Sequence, residues 1–313
     1  MKSPRGIIGQ ASEADSEIAH EILERIEEVA ERVTPRRVVF ASITALLIGM
    51  ASLLAVVWIV PYENVDVLRR LPVSQDIEAI FDKIVHHRRG GWCYEMNGLL
   101  GWALAELGFN VTRQLGGVMR SERGDDAFGN HLMLKVSLDG RTWLADVGLG
   151  DGIAEPIPLE VGDHRQGART FRLETLDGGI WRYHNADGAM PPDFDFRYRE
   201  GHSGFSAPEA DEGRIAEICG RLQTDPESMF RLNLVCQRMS PDGISLLLGR
   251  VFTHNGKRRL LDSASELDEV LSGAFGLAVD TEELWPGVVG RHDALFGDTA
   301  VEEIRFGAPD PEN

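Results

Sequence analysis

With 313 residues, 43% hydrophobic and 26% charged, the chain has the composition of a globular protein and enough length for two or three domains around a substantial core. Its net charge of -18 argues against a nucleic-acid surface, which needs a basic patch, and favours solubility while saying little about fold. The three cysteines, Cys93, Cys219 and Cys236, form neither a disulfide framework nor a zinc pattern, so a reducing compartment, the cytoplasm, is the simplest reading.

Residues 1–11 read as a disordered N-terminus. From Ser12 to Val33 the chain is acidic and amphipathic; Ile18, Ile22, Ile26 and Val29 fall on one side, as in a helix with a solvated charged face. Thr34 and Pro35 break it. Residues 38–60 then run for 23 positions without a charge, flanked at the start by Arg36 and Arg37. By length and composition alone this run is a transmembrane candidate. It comes too late and is too long for a cleavable signal peptide. P-Y-E-N-V-D (61–66) follows, then an acidic-apolar helix around Ile77–Val85. His86 and His87, with no carboxylate or cysteine at ligand spacing, read as surface residues and not as metal ligands.

Residues 88–108, R-R-G-G-W-C-Y-E-M-N-G-L-L-G-W-A-L-A-E-L-G, read as a glycine turn feeding a helix. Leu100, Ala103, Leu104 and Leu107 recur at helical spacing as its buried stripe, and Gly108 stands where a C-terminal glycine is expected. Gly90 and Gly91 free the backbone to turn just before Cys93. Cys93 falls in the first helical turn, where unpaired N–H groups and the helix dipole favour a negative atom. With a basic partner nearby, that placement turns a thiol into a nucleophilic thiolate. Without one, a free cysteine is usually a small buried hydrophobe.

From Phe109 the period becomes that of strands. F-N-V-T-R-Q-L-G-G-V-M-R, H-L-M-L-K-V-S-L, R-T-W-L-A-D-V, R-T-F-R-L-E-T-L and I-W-R-Y-H-N are separated by turns carrying Gly and Asp, among them 139–140 and 177–179. This is an antiparallel barrel or a strongly curved sheet, with its boundary to the helical part near 109. Two of its segments carry chemistry. In G-N-H-L-M-L-K-V (129–136), Leu132, Leu134 and Val136 alternate with other residues, so His131 opens a strand. In W-L-A-D-V-G-L-G (143–150), Asp146 lies near the end of another short strand, before a glycine-rich turn. A lone histidine is more often structural, and a lone aspartate before glycine is more often a turn residue. Together with Cys93 they supply a nucleophile, a base and an orienter. Residues 200–230 are polar and glycine-rich before a helix around Arg214–Leu222. L-N-L-V-C-Q-R-M and I-S-L-L-L-G-R-V-F read as strands joined by a turn at Pro241–Gly243. Residues 263–276 carry a capping-box pattern at Ser263 and Ser265, with Leu267, Val270 and Leu271 as the buried face. The last dozen residues, acidic with two prolines, read as a loose tail. Cys219 and Cys236 sit inside periodic patterns and read as core.

These segments resemble the arylamine N-acetyltransferase family. Its signature, R-G-G-aromatic-C-aromatic-E-x-N, is matched from Arg89 to Asn97. Its histidine strand and its D-V-G-aromatic-G segment are matched by 129–136 and 146–150. The intervals, 38 residues from Cys93 to His131 and 15 from His131 to Asp146, look like the family's own. P-Y-E-N-V-D looks like its P-F-E-N-L-D, while P-E-S-M-F (226–230) and N-L-V-C-Q-R-M-S-P-D-G (233–243) resemble the start of its third domain. The likeness runs from about 61 to 290. It implies an α+β fold with an N-terminal helical domain, an antiparallel β-barrel domain and a C-terminal α/β lid around a cysteine-proteinase-like Cys-His-Asp core. On this chain the helical domain with Cys93 falls at 12–108 and the barrel domain with His131 and Asp146 at 109–205. The lid falls at 206–300 and an acidic tail at 301–313.

The resemblance also implies ping-pong transfer of acetyl from acetyl-CoA to a small aromatic amine or hydrazine through a Cys93 thioester, with no metal. It places CoA contacts near Gly148, Gly150 and Gly152. An ordinary strand-ending turn is the equal alternative there, and the segment is neither a Walker A nor a dinucleotide fingerprint. CoA phosphates need local donors on so acidic a protein; Lys257, Arg258 and Arg259 form a basic cluster, though such clusters are usually just solvated. An aromatic acceptor lining is implied as well. Tyr62 matches the aromatic of P-F-E-N, but Leu149 stands where the family often has phenylalanine. An aliphatic wall loses stacking, so a weaker or shifted arylamine preference is expected.

The apolar run departs from the pattern, because the family's equivalent segment is an amphipathic helix inside a soluble domain. Pro61 to Asp66 should lie close to the cysteine, leaving little slack after a membrane exit. Basic residues are richer before the run (Arg25, Arg32, Arg36, Arg37) than after it (Arg69, Arg70), which would place the enzyme outside, away from cytosolic acetyl-CoA. A cytoplasmic enzyme is therefore the reading, with membrane association through 38–60 as its alternative. The same three groups also serve hydrolases of the papain or transglutaminase type. An amide synthase acting on a long acyl chain is the alternative within the family, and a membrane-tethered binding protein the alternative from another class.

Overall fold

The computed structural model describes residues 59–198, 211–297 and 299–304. The helix expected over 12–33, the apolar run apart from Ile59 and Val60, the stretch 199–210 and the tail beyond 304 lie outside the described residues. No helix among the described residues is long and apolar enough to cross a membrane.

A two-residue strand, β1 (Tyr62–Glu63), leads into one helical turn, α1 (Val65–Leu68). Asp76 then starts α2 (Ile77–Phe81), its carboxylate accepting from the N–H groups of Glu78 and Ala79. The helix continues as a π turn over Asp82–His86. Next comes α3 (Cys93–Glu106), which Gly108 ends with a φ of 89°. Only its C-terminal half is amphipathic. Leu100 and Leu104 are buried, Ala103 and Leu107 half-buried, but Cys93 through Gly101 are buried on every side. The expected stripe thus describes the outer half of a helix whose first two turns run through the interior.

The chain then forms β2 (Asn110–Val118), a turn of helix α4 (Arg120–Arg123), β3 (His131–Leu138), β4 (Arg141–Ala145), β5 (Ile157–Pro158), β6 (Gly162–Gln166), β7 (Arg169–Leu176), β8 (Ile180–His184) and β9 (Asp193–Arg197). These strands make one antiparallel sheet in the order β5-β4-β3-β2-β9-β8-β7-β6, curved around Leu149, Phe171, Leu173, Tyr183, Phe194 and Phe196. Three strands are absent from the periodicity reading: β5 and β6, which are the sheet's edges, where one face and one ladder suffice, and β9, which lies inside it between β2 and β8. In β9 the readable alternation is that of Phe194 and Phe196, both fully buried.

The C-terminal part comprises α5 (Glu212–Thr224), capped by Asp211, then α6 (Met229–Leu232), β10 (Val235–Ser240), β11 (Gly243–Leu248), β12 (Val251–His254), β13 (Lys257–Leu260), α7 (Ala264–Phe275) and α8 (Thr281–Phe296). The run I-S-L-L-L-G-R-V-F is two strands and not one: Gly249, at φ 56°, turns the chain so that Leu248 pairs with Val251. At α7 the expected cap forms at Ser263, whose Oγ accepts from Glu266 N–H; the Glu266 carboxylate reaches past the cap to accept from Asp262 N–H, so the capping box is not reciprocal. Pro286, Gly287 and Gly290 inside α8 conceal that helix from a propensity reading, yet Leu284 and Val288 are buried on it. The tail, expected loose from 301, is tied down through Ile304. That residue is 1% exposed, and its carbonyl accepts from Arg258 Nη1 at 2.7 Å.

P-Y-E-N, expected with the helical part, belongs to the C-terminal sheet. Tyr62 pairs with Gln237 and Glu63 with Cys236, giving the order β1-β10-β11-β12-β13. Asn64 secures the junction. Its Nδ2 donates to the carbonyls of Phe230 (2.7 Å) and Asn233 (2.8 Å), and its Oδ1 accepts from Val235 N–H at 2.8 Å. Asn64→Ala strips three backbone groups of their partners. At ~1 kcal/mol each, the expected loss is on the order of 3 kcal/mol, read as a lower urea midpoint with an unchanged m-value.

Candidate active site

Trp92 is extended and Cys93 is the first residue of α3. The Trp92 carbonyl accepts from Glu95 and Met96 N–H, and the Glu95 carboxylate accepts from Trp92 N–H at 3.3 Å, which fixes where the helix starts. Gly90 and Gly91 precede it, but neither has a positive φ; Arg88, at φ 51°, takes the left-handed position. What requires glycine is space. A Cβ on Gly90 would lie 2.1 Å from the Pro61 carbonyl oxygen, and one on Gly91 2.9 Å from Glu95 Cβ. The strand beside them bonds across the gap, Glu63 N–H to Gly91 carbonyl at 2.9 Å and Gly91 N–H to Pro61 carbonyl at 3.3 Å. P-Y-E-N therefore lies against the cysteine turn.

His131 opens β3, and Asp146 directly follows β4. Pairing of Leu134 with Ala145 sets the start of one strand beside the end of the other. His131 Nε2 lies 2.6 Å from Asp146 Oδ2, and Cys93 is near enough to the imidazole to add to the rise of its pKa. With Nε2 taken, Nδ1 is the ring nitrogen left for sulfur. Cys93, His131 and Asp146 are 1%, 2% and 2% exposed. Burial alone would depress the imidazole pKa, but the charge and hydrogen bond of Asp146, with Cys93 adding to them, outweigh it and hold it up at about 10. The upward shift favours the imidazolium form beside the sulfur. Phe194 packs on the ring at 5.0 Å between centroids.

The glycines after Asp146 sit as close to their neighbours as the sequence suggests, but the neighbours are protein. A Cβ on Gly148 would lie 2.7 Å from Cys93 Cβ, one on Gly150 2.4 Å from Gln237 Cβ, and one on Gly152 3.1 Å from Leu149 Cβ. Only Gly150, at φ 73°, is partly exposed. Tyr62 is buried near the triad; burial raises its pKa, and the charges of Cys93 and Asp146 add to the rise. Leu149 is 4% exposed in the barrel core, so it is a packing residue before it is a wall. In the Lys257–Arg259 cluster, Arg258 is engaged by Ile304, while Arg259 approaches Glu266 at 3.5 Å and covers the Phe252 ring.

A model of the N-acetyltransferase family matches residues 50–284. Arylamine N-acetyltransferase 1 of Homo sapiens is 31% identical over 260 residues, covering 76% of this chain and 87% of that protein. The chain belongs to the arylamine N-acetyltransferase family. Among solved structures, the M. smegmatis arylamine N-acetyltransferase superposes with a TM-score of 0.63 at 30% identity, covering 79% of this chain and 90% of that one. The Mycobacterium marinum enzyme, in complex with CoA, gives a TM-score of 0.65 at 26% identity, covering 79% and 92%. This arylamine N-acetyltransferase is thus an acyl-transferring enzyme of α+β fold with a barrel-like antiparallel sheet.

Beneath its cysteine turn lies a charge network that the motif reading did not resolve. Glu63 is fully buried and accepts from Arg89 Nη2 at 2.7 Å; Arg89 also reaches Asp66 at 3.0 Å. Lys83, on the π turn, reaches Glu95 at 2.8 Å and Asp66 at 2.9 Å. The signal was present as charges inside an otherwise apolar motif. Despite burial, Lys83 and Arg89 hold the Asp66 carboxyl below its usual range. Burial pushes Glu95 up to about 7, against the pull of Lys83. Nearby, His86 and His87 are exposed as expected, but the carboxylate that spacing seemed to deny them is Asp82, at 3.1 and 3.2 Å from their Nδ1 atoms.

Glu95 makes stability depend on pH. Its carboxyl binds a proton more tightly folded than unfolded, so its contribution is full below about pH 4.5 and is lost as pH rises through about 7. The expected outcome in denaturant titrations is that Glu95→Gln removes this part of the slope between those values; an unchanged slope contradicts the assignment.

Proposed function

We propose that the enzyme moves acetyl from acetyl-CoA to an arylamine, hydrazine or related small amine through a thioester on Cys93, in ping-pong order. The observation that carries this reading is the buried relay from Asp146 through His131 to Cys93 at a helix N-terminus. Support comes from a relative of the same fold that binds CoA.

Cys93, as the thiolate of a thiolate–imidazolium pair, attacks the acetyl carbonyl carbon. Backbone N–H groups of the first turn of α3 are the donors for the oxyanion. Collapse breaks the bond to the CoA sulfur, which leaves with the proton from His131 and gives acetyl-Cys93. The amine nitrogen then attacks the thioester carbon, His131 takes its proton, and the C–S bond to Cys93 breaks. Imidazolium and thiolate are thereby restored. Asp146 accepts the Nε2–H throughout and fixes the tautomer.

Gly150, the partly exposed member of its loop, is the proposed backbone contact for the donor. Tyr62 and Leu149 are the proposed contacts for the acceptor. A cytoplasmic location fits three buried free thiols. The family match begins at residue 50, within the apolar run.

Acetyl-CoA alone is expected to add one acetyl group to the wild-type protein by intact mass, and none to Cys93→Ala. Wild-type protein that stays unmodified refutes the thioester. In an acceptor panel, flat anilines are expected to hold no wide margin over hydrazines, because Leu149 offers them no aromatic face; a wide margin contradicts that part.

A further inference from the structure

We propose that Asn97 is the positioning residue that aims the Asp146 carboxylate at His131, acting from the same helix that carries the nucleophile. The inference rests on the catalytic roles proposed above.

Asn97 lies one helical turn after Cys93, on the same face of α3, and is fully buried. Its Nδ2 donates to Asp146 Oδ1 at 2.8 Å and to the Leu132 carbonyl at 2.6 Å, and its Oδ1 accepts from Val147 N–H at 3.0 Å. Both amide protons are used, and the carbonyl oxygen is used as well. Leu132 and Val147 are the chain neighbours of His131 and Asp146. One carboxamide thus ties the start of β3 and the residue after β4 to the cysteine helix.

The carboxylate is held at both ends. Asp146 Oδ2 meets His131, while Oδ1 accepts from Asn97 and from Gly148 N–H, also at 2.8 Å. With Oδ1 pinned by two donors on different elements, rotation about the Cβ–Cγ bond is blocked, and Oδ2 stays turned toward the imidazole. The site has no slack for a substitute. A Cβ on Gly148 would fall 2.6 Å from Asn97 Nδ2. Only a carboxamide of this length presents two donors and an acceptor here. Aspartate would set acceptor against acceptor at both Asp146 and Leu132, and serine is too short to reach both. The consequence is geometric: a shift of α3 moves the sulfur and the anchor of its base together.

The test uses Asn97→Asp, which keeps the volume and removes the donors, and Asn97→Ser. Folding is followed by circular dichroism and thermal melting. The low-field proton resonance of the hydrogen-bonded His131 imidazole, assigned by its loss in His131→Gln, reports the dyad. Cys93 alkylation by iodoacetamide across pH, with kcat and KM, reports its effect. Both variants are expected to fold and to lose the resonance. Alkylation should slow roughly tenfold at neutral pH, with a displaced profile. Acetyl transfer should fall on the order of 100-fold in kcat, with acceptor KM nearly unchanged. Folded variants that keep both the resonance and the wild-type alkylation profile overturn the proposal. So does failure of both to fold, which would assign Asn97 to stability alone. Resonance and alkylation need no acyl donor. A wild type that transfers no acetyl, while Asn97→Asp still loses the resonance, therefore counts against the proposed function and not against this role.

Discussion

A carboxylate held out of reach of water, and its need for donors, governs this structure. Asp146 is 2% exposed, and an unpaired charge there would cost several kcal/mol. Every element around it is arranged to supply donors: the imidazole at the start of β3, the backbone N–H of Gly148, and a carboxamide on α3. The absence of a side chain at residue 148 follows from the same demand. Its N–H reaches Asp146 only because its backbone presses against Cys93, where a Cβ would stand 2.7 Å away from the cysteine's own. Catalytic geometry and the satisfaction of a buried charge are here one problem with one solution.

A second polar knot lies on the other side of the same helix start. Glu63, Asp66 and Glu95 share Lys83 and Arg89, three acids against two bases, below the turn that delivers Cys93. α3 contributes Glu95 to this knot and, from the opposite face that also carries Cys93, Asn97 to the other. This explains why its first two turns are buried on all faces and why the helix carries no amphipathic signal there. Removing one member of such a set leaves its partner charged and unpaired, which costs more than the intact pair stabilises.

The three residues of the proposed triad stood out in the sequence because they sit at element edges with recognisable local chemistry: a cysteine after glycines, a histidine before alternating apolar residues, an aspartate before a glycine turn. Elements held by local pattern were legible too, among them β7 over Arg169–Leu176 and the Ser263 cap of α7. What sequence does not carry is anything decided by a distant partner. β1 is two residues long, and its sheet neighbour lies far down the chain. Gly90 and Gly91 look like turn glycines but answer to the Pro61 carbonyl and to Glu95. At Gly148, Gly150 and Gly152 a side chain would meet Cys93, Gln237 and Leu149, so glycine there answers to packing from distant partners. Pro286 and its neighbouring glycines hide α8, which tertiary burial of Leu284 and Val288 sustains against propensity.

The pairing of β1 with β10 has a consequence for how the molecule is made. Asn64 bonds to Val235 across 171 positions of sequence. On the ribosome, the strand that borders the cysteine turn emerges long before its partner exists. Its backbone donors and acceptors must wait while some hundred and seventy residues are added, and contacts of such long range close late and slowly. The surroundings of Cys93 are therefore completed only when the C-terminal sheet arrives.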